Sequence, residues 1–95
     1  MAEINVREVE GPPVMYEVKV EEGGSATTHR VDVPEALYQK LTGGRISKAE
    51  CVKHAFEFLL DREPKESIYS QFKLSVISNY FPEFEREFPK YLERP

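Results

Sequence analysis

The first third of the chain alternates between apolar and polar residues with the period of a β-strand. Between Val14 and Glu21 every even position is apolar and the odd positions are mostly polar, which is the pattern of a strand with one buried face. Gly23 and Gly24 follow, and a glycine pair accommodates the positive φ angles of a two-residue hairpin turn. The pattern therefore predicts a β-hairpin over residues 14–33, in which the numbers of paired residues add to 47.

This register brings apolar residues together on the face that we expect to be buried. Val20 faces Thr27, Val18 faces His29, Tyr16 faces Val31 and Val14 faces Val33. On the other face Glu17 lies opposite Arg30, which is a favourable cross-strand charge pair. Upstream, Ile4 and Val6 alternate with polar neighbours and predict a third strand, which ends before the prolines at 12 and 13.

The middle of the chain has the spacing of helices. After Pro34, apolar residues recur every four positions up to the stop signal of Gly43 and Gly44. Ser47 and Glu50 then match a capping box, which predicts the start of a longer helix that ends before Pro64. The apolar stripe of this second helix is wide, so we expect it to be covered on more than one side.

The last third contains seven of the eleven aromatic residues, from Tyr69 to Tyr91. Pro64, Pro82 and Pro89 divide it into short pieces that we predict to be helical turns. The fold class is therefore predicted to be α+β. We expect a single domain over 1–95, with a β region at 1–33 and a helical region at 34–95. In it, an N-terminal antiparallel hairpin or three-stranded sheet packs against a long central helix and short C-terminal helices.

Composition restricts the possible partners. Thirteen basic and seventeen acidic side chains give a net charge of −4, which argues against general binding to a phosphate backbone. The single cysteine excludes an internal disulfide and suits a reducing cytoplasm. No apolar run approaches the roughly 20 residues of a bilayer span, and no basic and apolar leader opens the chain. We therefore expect a cytoplasmic protein that has no membrane partner.

Candidates for metal or nucleophilic chemistry are few. Cys51 and His54 lie three residues apart on one predicted helix, and His29 is the only other histidine. A zinc site needs three or four such ligands, and Cys51 belongs to the apolar side of the helix start, where burial makes a thiol inert. His29 faces inward in the hairpin, where we expect a hydrogen-bonded core residue.

The acidic residues near the C-terminus do not suggest acid–base catalysis either. Glu83, Glu85 and Glu87 have the spacing of the solvated side of a short helix. The chain also lacks the glycine-rich phosphate-binding motifs and the strand-turn-helix motif of serine hydrolases. The sequence therefore predicts no enzyme and no catalytic, cofactor-binding or metal-binding residue. A small enzyme that uses Cys51, His54 or His29 is the least favoured hypothesis.

The residues 29–37 and 46–50 resemble part of the ribbon-helix-helix DNA-binding regulators. The likeness lies in the order of the predicted elements over about residues 28–62. A strand leads through a proline into a helix, and a glycine turn then separates this helix from a serine-capped second helix. The resemblance implies a dimer whose outward strand side chains enter the major groove, by position Thr28, Arg30 and Asp32, while Lys48 touches phosphate. Asp32 departs from this role because phosphates would repel it.

A longer stretch resembles a group of small, uncharacterised bacterial proteins. Residues 56–68 and 80–84 carry the pattern, which reads FEFLLxREPKESI…YFPEF and lies within about residues 50–85. This resemblance implies a bacterial cytoplasmic protein and no particular activity.

We interpret the chain as a small non-catalytic interaction or regulatory module. Its partner is an unknown protein or a second copy, and Tyr69, Tyr80 and Tyr91 are the candidate contacts, because tyrosine combines rigid area with a polar tip. Packing at the edge of the core is the competing explanation for each of them. The alternative function is that of a ribbon-helix-helix-like regulator, which would bind DNA as a dimer through Thr28, Arg30 and Lys48.

Overall fold

The computed structural model describes residues 2–93, which form one mixed sheet with helices on one of its faces. The elements in chain order are β1 (Glu3–Val9), β2 (Met15–Glu22), β3 (Ser25–Asp32), α1 (Glu35–Thr42), α2 (Lys48–Leu60), β4 (Gln71–Lys73), α3 (Val76–Tyr80) and α4 (Phe84–Leu92), with a 3₁₀ turn at Lys65–Ser67. The sheet order is β1-β2-β3-β4. The predicted α+β class is confirmed.

The hairpin has the predicted turn and register. Gly23 and Gly24 take φ angles of 64° and 81°, which side chains with a Cβ rarely adopt. The pairs Tyr16–Val31, Val18–His29 and Val20–Thr27 form as predicted. The predicted Val14–Val33 pair is not part of this ladder, because β2 begins at Met15 and β3 ends at Asp32. The alternation of the sequence therefore determined the register but not the end of the hairpin.

The third strand is also confirmed, and the structure adds a fourth. β1 pairs antiparallel with β2, as Ile4 and Val6 indicated. β4 pairs parallel with β3, so the sheet is mixed rather than antiparallel, and the predicted helical region contributes a strand to it. The three residues of β4 are too few to show an alternating pattern in the sequence. Backbone hydrogen bonds rather than a hydrophobic stripe hold this strand: the Arg30 amide donates to the Ser70 carbonyl and the Leu74 amide to the Asp32 carbonyl, both at 2.8 Å.

The predicted capping box begins α2. The Glu50 amide donates to Ser47 Oγ at 3.1 Å, and the Ser47 amide donates to Glu50 Oε1 at 3.4 Å. Two of the four amides that a helix start leaves without partners are thereby satisfied. Gly43, at φ 65°, ends α1 before this start.

The wide apolar stripe of α2 is covered on two sides. Towards the sheet, the Phe56 ring lies 5.3 Å from the His29 ring and 6.0 Å from the Phe72 ring, measured between centroids. Away from it, the Phe58 ring packs at 4.9 Å from Phe84 in α4. The predicted cover on more than one side is thus present. The prediction of one long central helix is met only in part: α2 is the longest helix of residues 2–93, but it has 13 residues, against 8, 5 and 9 in α1, α3 and α4.

Pro89 does not divide the C-terminal segment as predicted, because it lies inside α4. A proline removes one helical hydrogen bond and disfavours the turn before it. Here the proline is exposed, while Phe84, Phe88 and Tyr91 of the same helix are buried. Tertiary burial of this aromatic face therefore outweighs the local cost of the proline.

The capping box permits a matched test of helix stability. We expect Ser47→Ala to lower the free energy of unfolding by about 1 kcal/mol, because the Glu50 amide loses its acceptor. Ser75→Ala is the control, since Ser75 precedes α3 without making a side-chain cap bond, and its effect should stay within about 0.5 kcal/mol. Urea unfolding followed by circular dichroism measures both. Equal effects of the two substitutions would contradict the assigned cap.

Candidate functional site

Cys51 and His54, the two candidates on α2 for nucleophilic or metal chemistry, are held by core packing and by a hydrogen bond respectively. Cys51 is fully buried, and this burial raises the pKa of its thiol to about 11. The Nδ1 atom of His54 lies 2.6 Å from the Glu57 carboxylate, one turn further along α2. Among residues 2–93 no three histidine, cysteine, aspartate or glutamate side chains come together in a group that could hold a metal ion.

His29 is buried and hydrogen-bonded, as we expected of a core histidine. It is 2% exposed. Its Nδ1 atom lies 2.8 Å from the Tyr69 carbonyl oxygen, and its Nε2 atom lies 2.8 Å from the Thr27 hydroxyl. Because a carbonyl only accepts, Nδ1 carries the proton in this contact, and Nε2 of a neutral ring then accepts from Thr27. The side chain thereby connects β3 to the segment that leads into β4.

The three glutamates between 83 and 87 are partly exposed, beside the buried Phe84 and Phe88, and each is also ion-paired. The pairs are Arg62–Glu83 at 3.1 Å, Lys40–Glu85 at 2.7 Å and Lys90–Glu87 at 3.0 Å. The Arg62–Glu83 pair connects the segment after α2 to the N-cap of α4, and the Lys40–Glu85 pair connects α1 to α4.

The candidate nucleic-acid contacts fall on opposite sides of the sheet. Thr28 and Arg30 are exposed on the face of β3 that bears no helices, and Arg30 Nη2 lies 3.8 Å from Glu17. Lys48 lies in the helical layer, where it pairs with Glu35 at 2.7 Å. At Arg30 and Val31, β3 pairs with β2 on one side and with β4 on the other, so these two positions have no open edge for the strand of a second copy.

Two of the three candidate tyrosines come together at the surface. Tyr69 is 51% exposed and Tyr80 is 61% exposed. Their hydroxyl oxygens are 2.6 Å apart and their ring centroids 5.8 Å apart, with the rings at 73° to each other. Tyr91 lies elsewhere and is 6% exposed, with its ring against Phe58 and its hydroxyl donating to Asp61. This burial separates Tyr91 from the surface that Tyr69 and Tyr80 form.

Tyr69 and Tyr80 line a largely apolar groove of about 280 Å³, which we call the aromatic groove. The end of α2, the segment before β4, and α3 enclose it. Its apolar lining includes Leu59, Ile68, Phe72, Ile77 and Phe81. Three of these (Leu59, Ile68 and Ile77) are almost fully buried, so they form the floor, while the two exposed tyrosines stand at the rim.

Glu63 also lines the aromatic groove, and sequence reasoning did not single it out. It is half-buried, and this burial raises the pKa of its carboxyl group. The pKa of Tyr69 is raised as well, mainly by the hydrogen bond to Tyr80 and to a smaller extent by the charge of Glu63. The only sequence signal was the position of Glu63 between a helix end and Pro64, which is equally typical of a solvated corner.

Comparisons with known proteins return no match: no family model, no curated protein and no solved structure is similar to this chain. The helices of residues 2–93 are all too short or too polar to cross a bilayer.

Thiol labelling tests whether Cys51 is reactive. At pH 8 a thiol with a pKa of about 11 is ionised in roughly one molecule per thousand, against about a quarter in an unfolded chain. We therefore expect a disulfide reagent to label the folded protein at least about a hundredfold more slowly than the protein in urea. Equal rates in the two states would identify an accessible, activated cysteine.

The contact between His29 and Tyr69 predicts a local effect on β4. His29→Phe should cost about 1–3 kcal/mol of unfolding free energy, because the Tyr69 carbonyl loses its donor. Amide exchange at Arg30 and Leu74, which form the β3–β4 ladder, should also accelerate. In the control Thr27→Val, Nδ1 keeps its bond to Tyr69, so that ladder should stay protected. Unchanged exchange in His29→Phe would contradict this role.

Proposed function

We propose that this chain is a non-catalytic interaction module that binds a protein partner at the aromatic groove. The observation that carries the proposal is the pair of exposed, mutually hydrogen-bonded tyrosines at the rim of an apolar depression. Tyrosine is enriched at interfaces because it offers a large rigid area and a polar tip. An apolar depression edged by such residues is typical of a surface that a partner covers.

The size of the aromatic groove favours a partner side chain over a cofactor. Sites for drug-sized ligands and cofactors usually have volumes of about 300–1,000 Å³, and this groove, at about 280 Å³, is at the lower end of that range. Its volume suits one or two anchoring side chains of a protein. Cys51, His54 and His29, which carry the enzyme hypothesis, are not among the residues that line it. The proposal therefore assigns the groove a binding role without chemistry.

Cytoplasmic location and a bacterial source remain part of the proposal. They are supported by the single cysteine and by the sequence pattern within residues 50–85. Binding of a second copy of the chain is the alternative outcome, which the measurement below distinguishes by the mass of the product.

Site-specific photo-crosslinking tests the proposal. A benzophenone amino acid in place of Tyr80 should give discrete adducts in the cells that produce the protein, because this position lies at the groove rim. The same substitution at Lys19 is the control, since that side chain is 56% exposed on the helix-free face of the sheet. Adducts that form equally at both positions, or that fail to form at position 80, would contradict the proposed surface.

A second variant links the adducts to the groove itself. Ser67 is exposed and lines the groove, so Ser67→Trp should fill it without removing any core contact. We expect this variant to lose the position-80 adducts while its thermal unfolding midpoint stays near that of the parent. For an isolated partner, Tyr69→Ala and Tyr80→Ala should each weaken binding by about tenfold or more.

A further inference from the structure

Among the residues 2–93 that line the aromatic groove, Glu63 is the one acidic side chain, and no cation of this described part of the chain pairs with it. Within residues 2–93 its side chain makes neither a hydrogen bond nor an ion pair. An acid in this position has lost part of its hydration to apolar neighbours without receiving a donor in return. Such an arrangement costs stability unless something else satisfies the charge.

The cations beside Glu63 in sequence are directed to other partners. Arg62 donates to Glu83 at 3.1 Å and to the Tyr91 hydroxyl at 3.2 Å, and its guanidinium lies 3.6 Å from the centre of the Phe58 ring. The buried Lys65 pairs with Glu66 at 2.6 Å. Residues 2–93 therefore leave the Glu63 carboxylate to be satisfied by water or by a partner.

We propose that the occupant of the aromatic groove is a segment of a partner protein that inserts an apolar side chain and places a neighbouring lysine or arginine against Glu63. This inference rests on the proposed function and adds the chemistry of the partner. The apolar floor takes the anchor, and the carboxylate takes the cation.

Three further observations agree with a basic partner. The exposed rings of Tyr69 and Tyr80 offer π faces, to which lysine and especially arginine are attracted. The protein has a net charge of −4, which favours the approach of a basic segment. Finally, the groove is smaller than most sites for free organic ligands, so a peptide that also contacts the surrounding surface suits it better than an isolated amine.

Selection from a random peptide library displayed on phage tests the inference, with the full folded chain as bait. Against the parent protein we expect enrichment of peptides that combine a large apolar residue with a nearby lysine or arginine. Against Glu63→Lys the preferred charge should change to aspartate or glutamate. A synthetic peptide from the parent selection should bind Glu63→Gln about tenfold more weakly than it binds the parent.

The control removes the same charge outside the groove. Glu22 is exposed at the end of β2 and its carboxylate makes no ion pair within residues 2–93, so Glu22→Gln changes the net charge equally and should leave the peptide affinity within about twofold. Circular dichroism and thermal unfolding establish that each variant is folded.

The outcomes separate this inference from the proposed function. If the selected peptides compete with one another, lose binding in Ser67→Trp, and show no charge preference that depends on Glu63, the groove binds partners but the basic segment is wrong. If Glu22→Gln weakens binding as much as Glu63→Gln, the effect is one of net charge and the inference is overturned. If no selected peptide depends on Ser67, Tyr69 or Tyr80, the proposed function itself is wrong.

Discussion

The arrangement of this protein depends on one buried imidazole. His29 lies in the middle of the hairpin, and its two ring nitrogens bond to the Thr27 hydroxyl and to the Tyr69 carbonyl. A polar ring at 2% exposure is tolerated in an apolar core only because both nitrogens have partners. The second of these bonds spans forty positions of sequence and attaches the start of the β4 segment to the sheet.

That attachment is what gives the aromatic groove its wall. Tyr69 follows the 3₁₀ turn at Lys65–Ser67, and the residue after next begins β4. Holding the Tyr69 carbonyl against β3 places its ring beside Tyr80 of α3, with which it shares a hydrogen bond at 2.6 Å. The groove therefore forms where a short strand and a short helix both end against α2, and neither element is long enough to be stable alone.

The end of α2 also determines which charged groups remain available. Arg62 is attached to α4 by Glu83 and Tyr91, and it stacks on Phe58. Its neighbour Glu63 consequently lies on the groove side, away from this cation. Because adjacent residues leave a helix end in different directions, one corner of the chain both stabilises the packing of α4 and places a carboxylate in the lining of the aromatic groove.

Much of the fold could be predicted because its signals are local. Alternation and a glycine pair indicate the β2–β3 register, and a serine followed three residues later by a glutamate indicates the start of α2. These features involve neighbours in sequence, whose conformations are limited by backbone sterics and by hydrogen bonds to nearby amides. Propensity failed at Pro89, where burial of the aromatic face of α4 overrides the local preference.

The candidate site shows the complementary case. Tyr69, Tyr80 and Tyr91 are the same residue type in one aromatic-rich segment, and sequence reasoning treated them alike. Only packing separates the two exposed rings from the buried one. The sequence by itself therefore determined the sheet register, the caps and the chemical types available. The tertiary structure alone decided the parallel strand, the groove and the isolation of Glu63, because these depend on contacts between residues far apart along the chain, to which short-range periodicity is insensitive.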